Sequence, residues 1–187
     1  MIETLLLVLF ISYKKGSQLK LLWTEKAFYP IFLCEAFYWI MQILIFNGNY
    51  SFLAFTGLFK SIYLCSTLFI VYRYNLYKYA LIGSGCVLLG GWCNDLAIWA
   101  NHGKMPVFPT LSLWTGYSSP EMFGVADQLH IFGDQTTKLK MLTDFIDLGY
   151  SVLSIGDVLI RILPFIVIYQ GLKSASTQLL STIKEDI

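Results

Sequence analysis

Residues 153–169, LSIGDVLIRILPFIVIY, have the length and apolar content of a membrane-spanning helix, yet they include two charged side chains. Asp157 and Arg161 are four residues apart, so a helix places them on one face, where they can pair. A charged side chain at the centre of a membrane helix costs about 2.5–3.5 kcal/mol on insertion scales, and such residues normally face protein rather than lipid. The stretch therefore predicts a helix packed among other membrane helices, with its acid–base pair turned inward.

The composition of the whole chain indicates a membrane protein and excludes several other classes. Of its 187 residues, 56% are hydrophobic and 13% are charged, whereas soluble domains average about 45–50% and about 25%. The net charge of +1 provides no basic surface for nucleic acid, so we expect no nucleic-acid partner. The cysteines lie in apolar runs without a CxxC pair, which is typical of packing residues and predicts neither a disulfide framework nor a metal site. We also expect no cofactor.

Five apolar segments predict an all-α, polytopic membrane helix bundle that forms a single membrane domain over residues 1–187. A helix needs about 20 residues to cross a bilayer core, and four segments meet that length: 28–47, 51–72, 79–99 and 150–171. Segment 1–13 is shorter, but it lacks the basic region and the cleavage site of a secretory signal. We therefore predict that it is a thin or tilted first span.

Basic residues predict the orientation of these spans. They cluster after spans one, three and five, at Lys14, Lys15, Lys20, Lys26, Arg73, Lys78, Lys173 and Lys184. The turn at 47–50 has none. The pattern predicts an N-terminus outside the cell, a C-terminus in the cytosol and an extracytoplasmic loop at 100–149, although this loop itself contains lysines.

The long loop has the signals of one or two interfacial helices. Ser119 is a suitable N-cap, with Pro120 at the first helical position. Asp134 is a second candidate N-cap, and apolar residues follow it at helical spacing: Leu139, Leu142, Phe145 and Ile146. This pattern predicts an amphipathic helix in the outer membrane interface, with an ordinary helix of a globular loop as the alternative.

Polar residues near the outer ends of the last two spans indicate a ligand pocket. From the helical rise, Asp95 lies roughly 7 Å and Asp157 roughly 10 Å from the outer ends of their spans. The predicted ligand-binding residues are Asn94, Asp95, Asn101, His102, Asp157 and Arg161, and the predicted lid carries Asp134, Asp144 and Asp147. The alternative is purely structural: an Asp–Arg pair and helix-capping carboxylates, with no ligand. His102 and His130, taken singly, are typical of solvated loop histidines.

Two further features concern the packing of the spans. Glu35 in span two and Lys60 in span three are ionisable residues that we expect to face the protein interior. Span four has a face of small residues that favours close approach of another helix, formed by Gly83, Cys86, Gly90 and Cys93.

Several motifs resemble those of one membrane protein family. The stretch NDLAIWANHGKMPV (94–107) is similar to the signature of an uncharacterised bacterial membrane family known as domain of unknown function 5317. The stretches 129–148, 153–160 and 5–22 are also similar to it, although Lys15-Gly16-Ser17 stands where that family often has paired glycines. The matching positions are Asn94, Asn101, Gly103, Met105, Pro106, Asp144, Gly156 and Asp157. The resemblance implies a multi-pass protein of the bacterial plasma membrane and no known reaction.

A shorter likeness concerns lipoprotein signal peptidase. The order of NHGKMPVF, TDFIDLG and IGDVLI resembles the order of motifs in that enzyme, which uses two aspartates at the outer membrane face. By this resemblance, Asp157 matches one aspartate, and Asp134 or Asp144 matches the other. The chain departs from the pattern at Ile155, where the motif has Asn, and it lacks an Asn-x-x-Asp-Arg motif.

Three functions are compatible with these observations. The first is a binding or accessory membrane protein whose outer pocket holds a small ligand, a lipid headgroup or a partner membrane protein. The second is an intramembrane aspartyl hydrolase or peptidase, in which two carboxylates share a proton and activate water. The third is a subunit of a transporter. We favour the first, and therefore expect a binding protein rather than an enzyme, with membrane lipid as one partner.

Overall fold

The computed structural model describes residues 1–119, 122–123 and 129–185. The helices are α1 (Ile2–Lys14), α2 (Leu21–Thr24), α3 (Tyr29–Phe46), α4 (Thr56–Ser66), α5 (Leu68–Tyr74), α6 (Tyr77–Ala100), α7 (Leu111–Trp114), α8 (Ile155–Ile160) and α9 (Ile162–Glu185). The short strands are β1 (Met105–Val107), β2 (His130–Phe132), β3 (Ile146–Asp147) and β4 (Val152–Leu153). The predicted all-α membrane fold class is therefore confirmed.

Four helical segments of the described chain are long and apolar enough to cross a membrane: Lys26–Phe46, Leu53–Tyr74, Tyr77–Ala100 and Ile155–Thr182. They correspond to predicted spans two to five. The predicted first span forms α1, but its 13 residues rise only about 20 Å, short of a bilayer core of about 30 Å. Large apolar side chains on these helices remain exposed, as Leu81 and Leu88 are at 76% each, which suits contact with lipid.

The chain forms two compact units. Unit one consists of Met1–Tyr38, Phe59–Gly85 and Arg161–Ile187, and unit two consists of Trp39–Leu58 and Cys86–Ile160. Unit one therefore includes the connections that are rich in lysine and arginine, and unit two includes the turn at 47–50 and the long loop. The prediction of a single domain stays a prediction.

Glycines allow close helix contacts in unit one. A Cβ added at Gly83 of α6 would lie 2.8 Å from the Cα of Leu163, and one added at Gly171 of α9 would collide with Ile70 of α5. Small residues at such places bring helix backbones together in lipid. The core of the unit includes Val8, Phe28, Ile70, Val167 and Leu172, each at most 1% exposed.

A second glycine contact joins α6 to α8 within unit two. A Cβ added at Gly90 would collide with the carbonyl oxygen of Gly156, and one added at Gly156 would collide with the side chain of Asn94. The predicted small-residue face of span four is confirmed at Gly83 and Gly90. The cysteines of the chain are free thiols.

The loop that joins α6 to α8 is organised by pairing between distant segments. Strand β1 pairs in parallel with β2, with Val107 opposite Phe132, and β3 pairs antiparallel with β4. Val107 also forms an isolated bridge with Asp144. These contacts give the loop a fold of its own within unit two.

The predicted amphipathic helix after Asp134 is wrong. Asp134 Oδ1 accepts hydrogen bonds from the backbone of Thr136 and Thr137 and closes a tight turn instead. Leu139 has a left-handed φ of 50°, which interrupts a right-handed helix, and Asp144 is paired with the segment that carries β1. The other predicted helix, which begins at Ser119, lies largely outside the described residues.

Candidate functional site

Asp157, the central residue of the predicted pocket, belongs to the N-terminal cap of α8. The Ser154 hydroxyl accepts a hydrogen bond from the Asp157 backbone N–H at 2.9 Å, and Asp157 Oδ2 lies 3.5 Å from the Ser154 N–H. This reciprocal arrangement is a capping box, and it places a carboxylate at the positive end of the helix dipole. The Ser154 hydroxyl also donates to Asn94 Oδ1 at 2.8 Å. Asn94 and Asp157 are therefore linked through Ser154, a residue that the sequence did not single out, and their predicted role in ligand binding stays a prediction.

Arg161 pairs with a residue that the sequence analysis overlooked. It occupies the break between α8 and α9, and its Nη1 atom forms an ion pair with Glu3 of α1. The Arg161 side chain is 12% exposed and that of Glu3 is 26% exposed. A lone carboxylate in the apolar segment 1–13 was the available signal for this contact. The predicted pair between Asp157 and Arg161 stays a prediction.

Asn101 holds the long loop against the end of α6. Its Nδ2 donates to the carbonyl oxygens of Ala97 and Lys138, at 2.8 and 3.0 Å, and its Oδ1 accepts from the Lys138 N–H at 2.9 Å. The amide is buried and is occupied by the backbone. Its predicted role in ligand binding is not tested by these contacts, which are those of a positioning residue.

Asp147 anchors α7 in a similar way. Its Oδ2 accepts hydrogen bonds from the N–H and the hydroxyl of Ser112, both at 2.9 Å, and from the Thr110 N–H at 2.6 Å. Its Oδ1 accepts from the Gly149 N–H. Partial burial raises the pKa of this carboxyl, but the backbone donors outweigh that effect, so the net pKa is lowered. Asp147 is therefore an ionised structural carboxylate.

Three further predicted residues are at the surface. Asp95 on α6 and His102, which has a left-handed φ of 58° in the turn after α6, are both exposed. Asp134 is exposed as well, and hydrogen bonds from Thr136 lower its pKa. A carboxylate that shares a proton with another would have a raised pKa, so Asp134 gives the hydrolase hypothesis no support.

Asp144 and His130 form a titratable pair within the loop. The parallel pairing of β1 with β2, together with the bridge from Val107 to Asp144, brings these distant residues together. Asp144 Oδ2 lies 3.4 Å from His130 Nε2, and the two side chains are 6% and 31% exposed. A buried carboxylate at this distance can accept a hydrogen bond from the half-buried imidazole and so orient the ring. In the described part of the chain, no group of three or more His, Cys, Asp or Glu side chains is arranged to hold a metal ion.

His130 is the residue whose importance the sequence did not reveal. It is 14 residues from Asp144 in the chain, and the prediction that a helix ran through Asp144 concealed their pairing. The motif resemblances selected Asp144, but the partner that they suggested for it was Asp157 and not His130.

Comparison with known proteins identifies the family of the chain. The model of a family of unknown function, DUF5317, matches residues 18–169. The chain belongs to the DUF5317 family. The expected membership is thereby confirmed, and the DUF5317 match covers every predicted site residue, whereas Glu3 precedes it. No curated protein and no solved structure matches the chain.

Proposed function

We propose that this DUF5317 protein is a binding or accessory protein of a bacterial plasma membrane. Its extracytoplasmic loop recognises a small polar ligand or a lipid headgroup through His130 and Asp144. The apolar helices and the family support a membrane protein. Lysine and arginine residues are concentrated in the connections after spans one, three and five, which supports a cytosolic location for these connections. The long loop would then lie outside the cell.

The observation that carries this proposal is the Asp144–His130 pair. Several other polar side chains of the predicted pocket and lid are engaged by the backbone, as Asn101 and Asp147 are. His130 is instead held by a side chain and is 31% exposed. A protonated imidazole that is oriented by a buried carboxylate donates hydrogen bonds and carries positive charge, so it suits a ligand with an anionic or hydrogen-bond-accepting group.

Native mass spectrometry of the protein, released from nanodiscs, tests this function. We expect a bound lipid or small molecule on the wild type, and its loss in His130→Gln and Asp144→Asn, because both variants remove the charge of the pair. Asp134→Asn is the matched control, since it alters an exposed carboxylate of the same loop, and it should retain the bound mass. Bare protein under every release condition, or equal retention in all variants, contradicts the proposal.

A transporter subunit is the second candidate. Two of the spanning segments are interrupted: α4 ends at Ser66 before α5 begins at Leu68, and α8 ends at Ile160 before α9 begins at Ile162. Discontinuous spanning helices are common at the substrate sites of transporters. For this candidate, the same mass measurement should show a retained protein subunit in place of a small molecule.

A further inference from the structure

Glu35 is a carboxylate buried near the middle of a spanning segment. It lies in Lys26–Phe46, roughly 15 Å along the helix from either end, and the residue is 4% exposed. Ionisable residues at that depth are costly and are retained mainly where they have a function.

Neither oxygen of Glu35 has a hydrogen-bond donor of standard geometry among the described residues. The polar side chain that faces it is the hydroxyl of Tyr63 on α4, which is also buried, at 3% exposed, and also lacks a hydrogen bond of standard geometry there. The two buried groups are hydrogen-bond partners, although their contact departs from standard geometry. The Tyr63 hydroxyl can donate to the carboxylate, and it can accept from the carboxylic acid once Glu35 is protonated.

The charged groups around Glu35 are mainly basic, and the carboxylate of Glu3 offsets only part of their charge. Arg161, at the break before α9, is paired with Glu3 of α1, and the Met1 nitrogen lies 3.3 Å from the other Glu3 oxygen. Lys60 is half-buried on α4. On α3 itself, the neighbouring titratable group is the thiol of Cys34.

Burial in a medium of low dielectric constant disfavours an ionised carboxylate and favours its neutral, protonated form. We propose that Glu35, together with Tyr63, forms an intramembrane site that binds and releases one proton. The proton is taken from water and forms an O–H bond at one Oε atom. This neutral carboxylic acid donates its hydrogen bond to the Tyr63 hydroxyl, and loss of the proton restores the carboxylate. The site goes beyond ligand recognition by the loop, since it lies in unit one and uses other residues.

Infrared difference spectroscopy of the full chain in lipid vesicles tests the site. Spectra recorded between about pH 5 and about pH 9, a range that covers buried carboxyl groups, should contain the carbonyl band of a protonated carboxylic acid that disappears on deprotonation. Glu35→Gln should abolish this band. Tyr63→Phe should keep the band but shift its frequency, because the carboxylic acid loses its hydrogen-bond partner.

Glu25→Gln is the matched control, because Glu25 is a partly exposed carboxylate near Arg73 and Tyr74 in the same unit, and it should leave the band unchanged. If Glu35→Gln fails to fold, Glu35→Asp replaces it and should retain a titrating band at an altered frequency. A band that persists in Glu35→Gln overturns the proposal. A carboxylate that stays ionised at every pH and responds to sodium or potassium instead also overturns it, and would indicate a cation site.

Discussion

Aspartates of unit two differ in what their carboxylates contact. Asp157 caps a helix, Asp147 gathers backbone N–H groups, Asp134 closes an exposed turn, and Asp144 faces an imidazole. Three of these arrangements are common in proteins of any function, because they satisfy backbone donors. The fourth pairs two titratable side chains, and only that arrangement sets Asp144 apart as a candidate for recognition.

At the same scale, Asn101→Ala should destabilise unit two. The variant removes three hydrogen bonds of a buried amide, two of them to the backbone of Lys138, so we expect a loss of about 1–3 kcal/mol in the free energy of unfolding. Thermal unfolding in detergent measures it. Lys138→Ala is the control. It removes only the lysine side chain and keeps the backbone N–H and carbonyl groups that bind Asn101, so its stability should stay close to that of the wild type. Equal stability of both variants would show that the hydrogen bonds of the Asn101 amide contribute nothing to the free energy of unfolding.

Individual contacts of this kind were only partly predictable. The sequence selected Asn94, Asn101, Asp144 and Asp157 as polar residues near the outer ends of spans, since a polar residue beside an apolar run is a local signal. It did not reveal their distant partners, because the Lys138 backbone lies 37 residues from Asn101 and the Ser154 hydroxyl lies 60 residues from Asn94. It also overlooked Glu3, although a lone acid in an apolar segment was visible.

At the scale of elements, the contact between α6 and α8 depends on Gly156. Alanine there would collide with Asn94 and with the carbonyl oxygen of Gly90, so we expect Gly156→Ala to cost about 1–3 kcal/mol through overpacking. Chemical denaturation in detergent micelles measures this cost.

Gly91→Ala provides the control for that prediction. It lies on the same helix as Gly90, but its added Cβ would meet nothing within 4 Å. Because alanine favours a helix more than glycine does, the free energy of unfolding of Gly91→Ala should be unchanged or up to about 1 kcal/mol higher than that of the wild type. Equal losses for Gly91→Ala and Gly156→Ala would mean that helix propensity, rather than the contact, is responsible.

The spanning helices were predictable because their signal is local. About 20 apolar residues in sequence are sufficient to indicate a span, and four predicted segments coincide with four helices of spanning length. The loop was not predictable in the same way. Its apolar spacing after Asp134 suggested a helix, but hydrogen bonds of the Asp134 side chain and parallel pairing with β1 determined its structure.

For the whole molecule, the orientation in the membrane is the property that cysteine labelling can decide. In a background without the native cysteines, we expect Lys104→Cys in the long loop to react with a membrane-impermeant maleimide on intact cells. Lys173→Cys on α9 should react only after permeabilisation, because basic connections stay in the cytosol. Both native positions are exposed. The opposite labelling pattern would place His130 and Asp144 on the cytosolic side and contradict the proposed outer site.

The parallel pairing in the loop has a consequence for biogenesis. Val107 contacts Phe132 and Asp144, which follow it by 25 and 37 residues. Strands this distant cannot associate while the intervening chain is still inside the ribosome, and long-range parallel pairing is intrinsically slow. The helix α6 is therefore synthesised and can enter the bilayer before the segment attached to it acquires its shape. Maturation of the protein is accordingly expected to end with that segment, long after its first helices are in lipid.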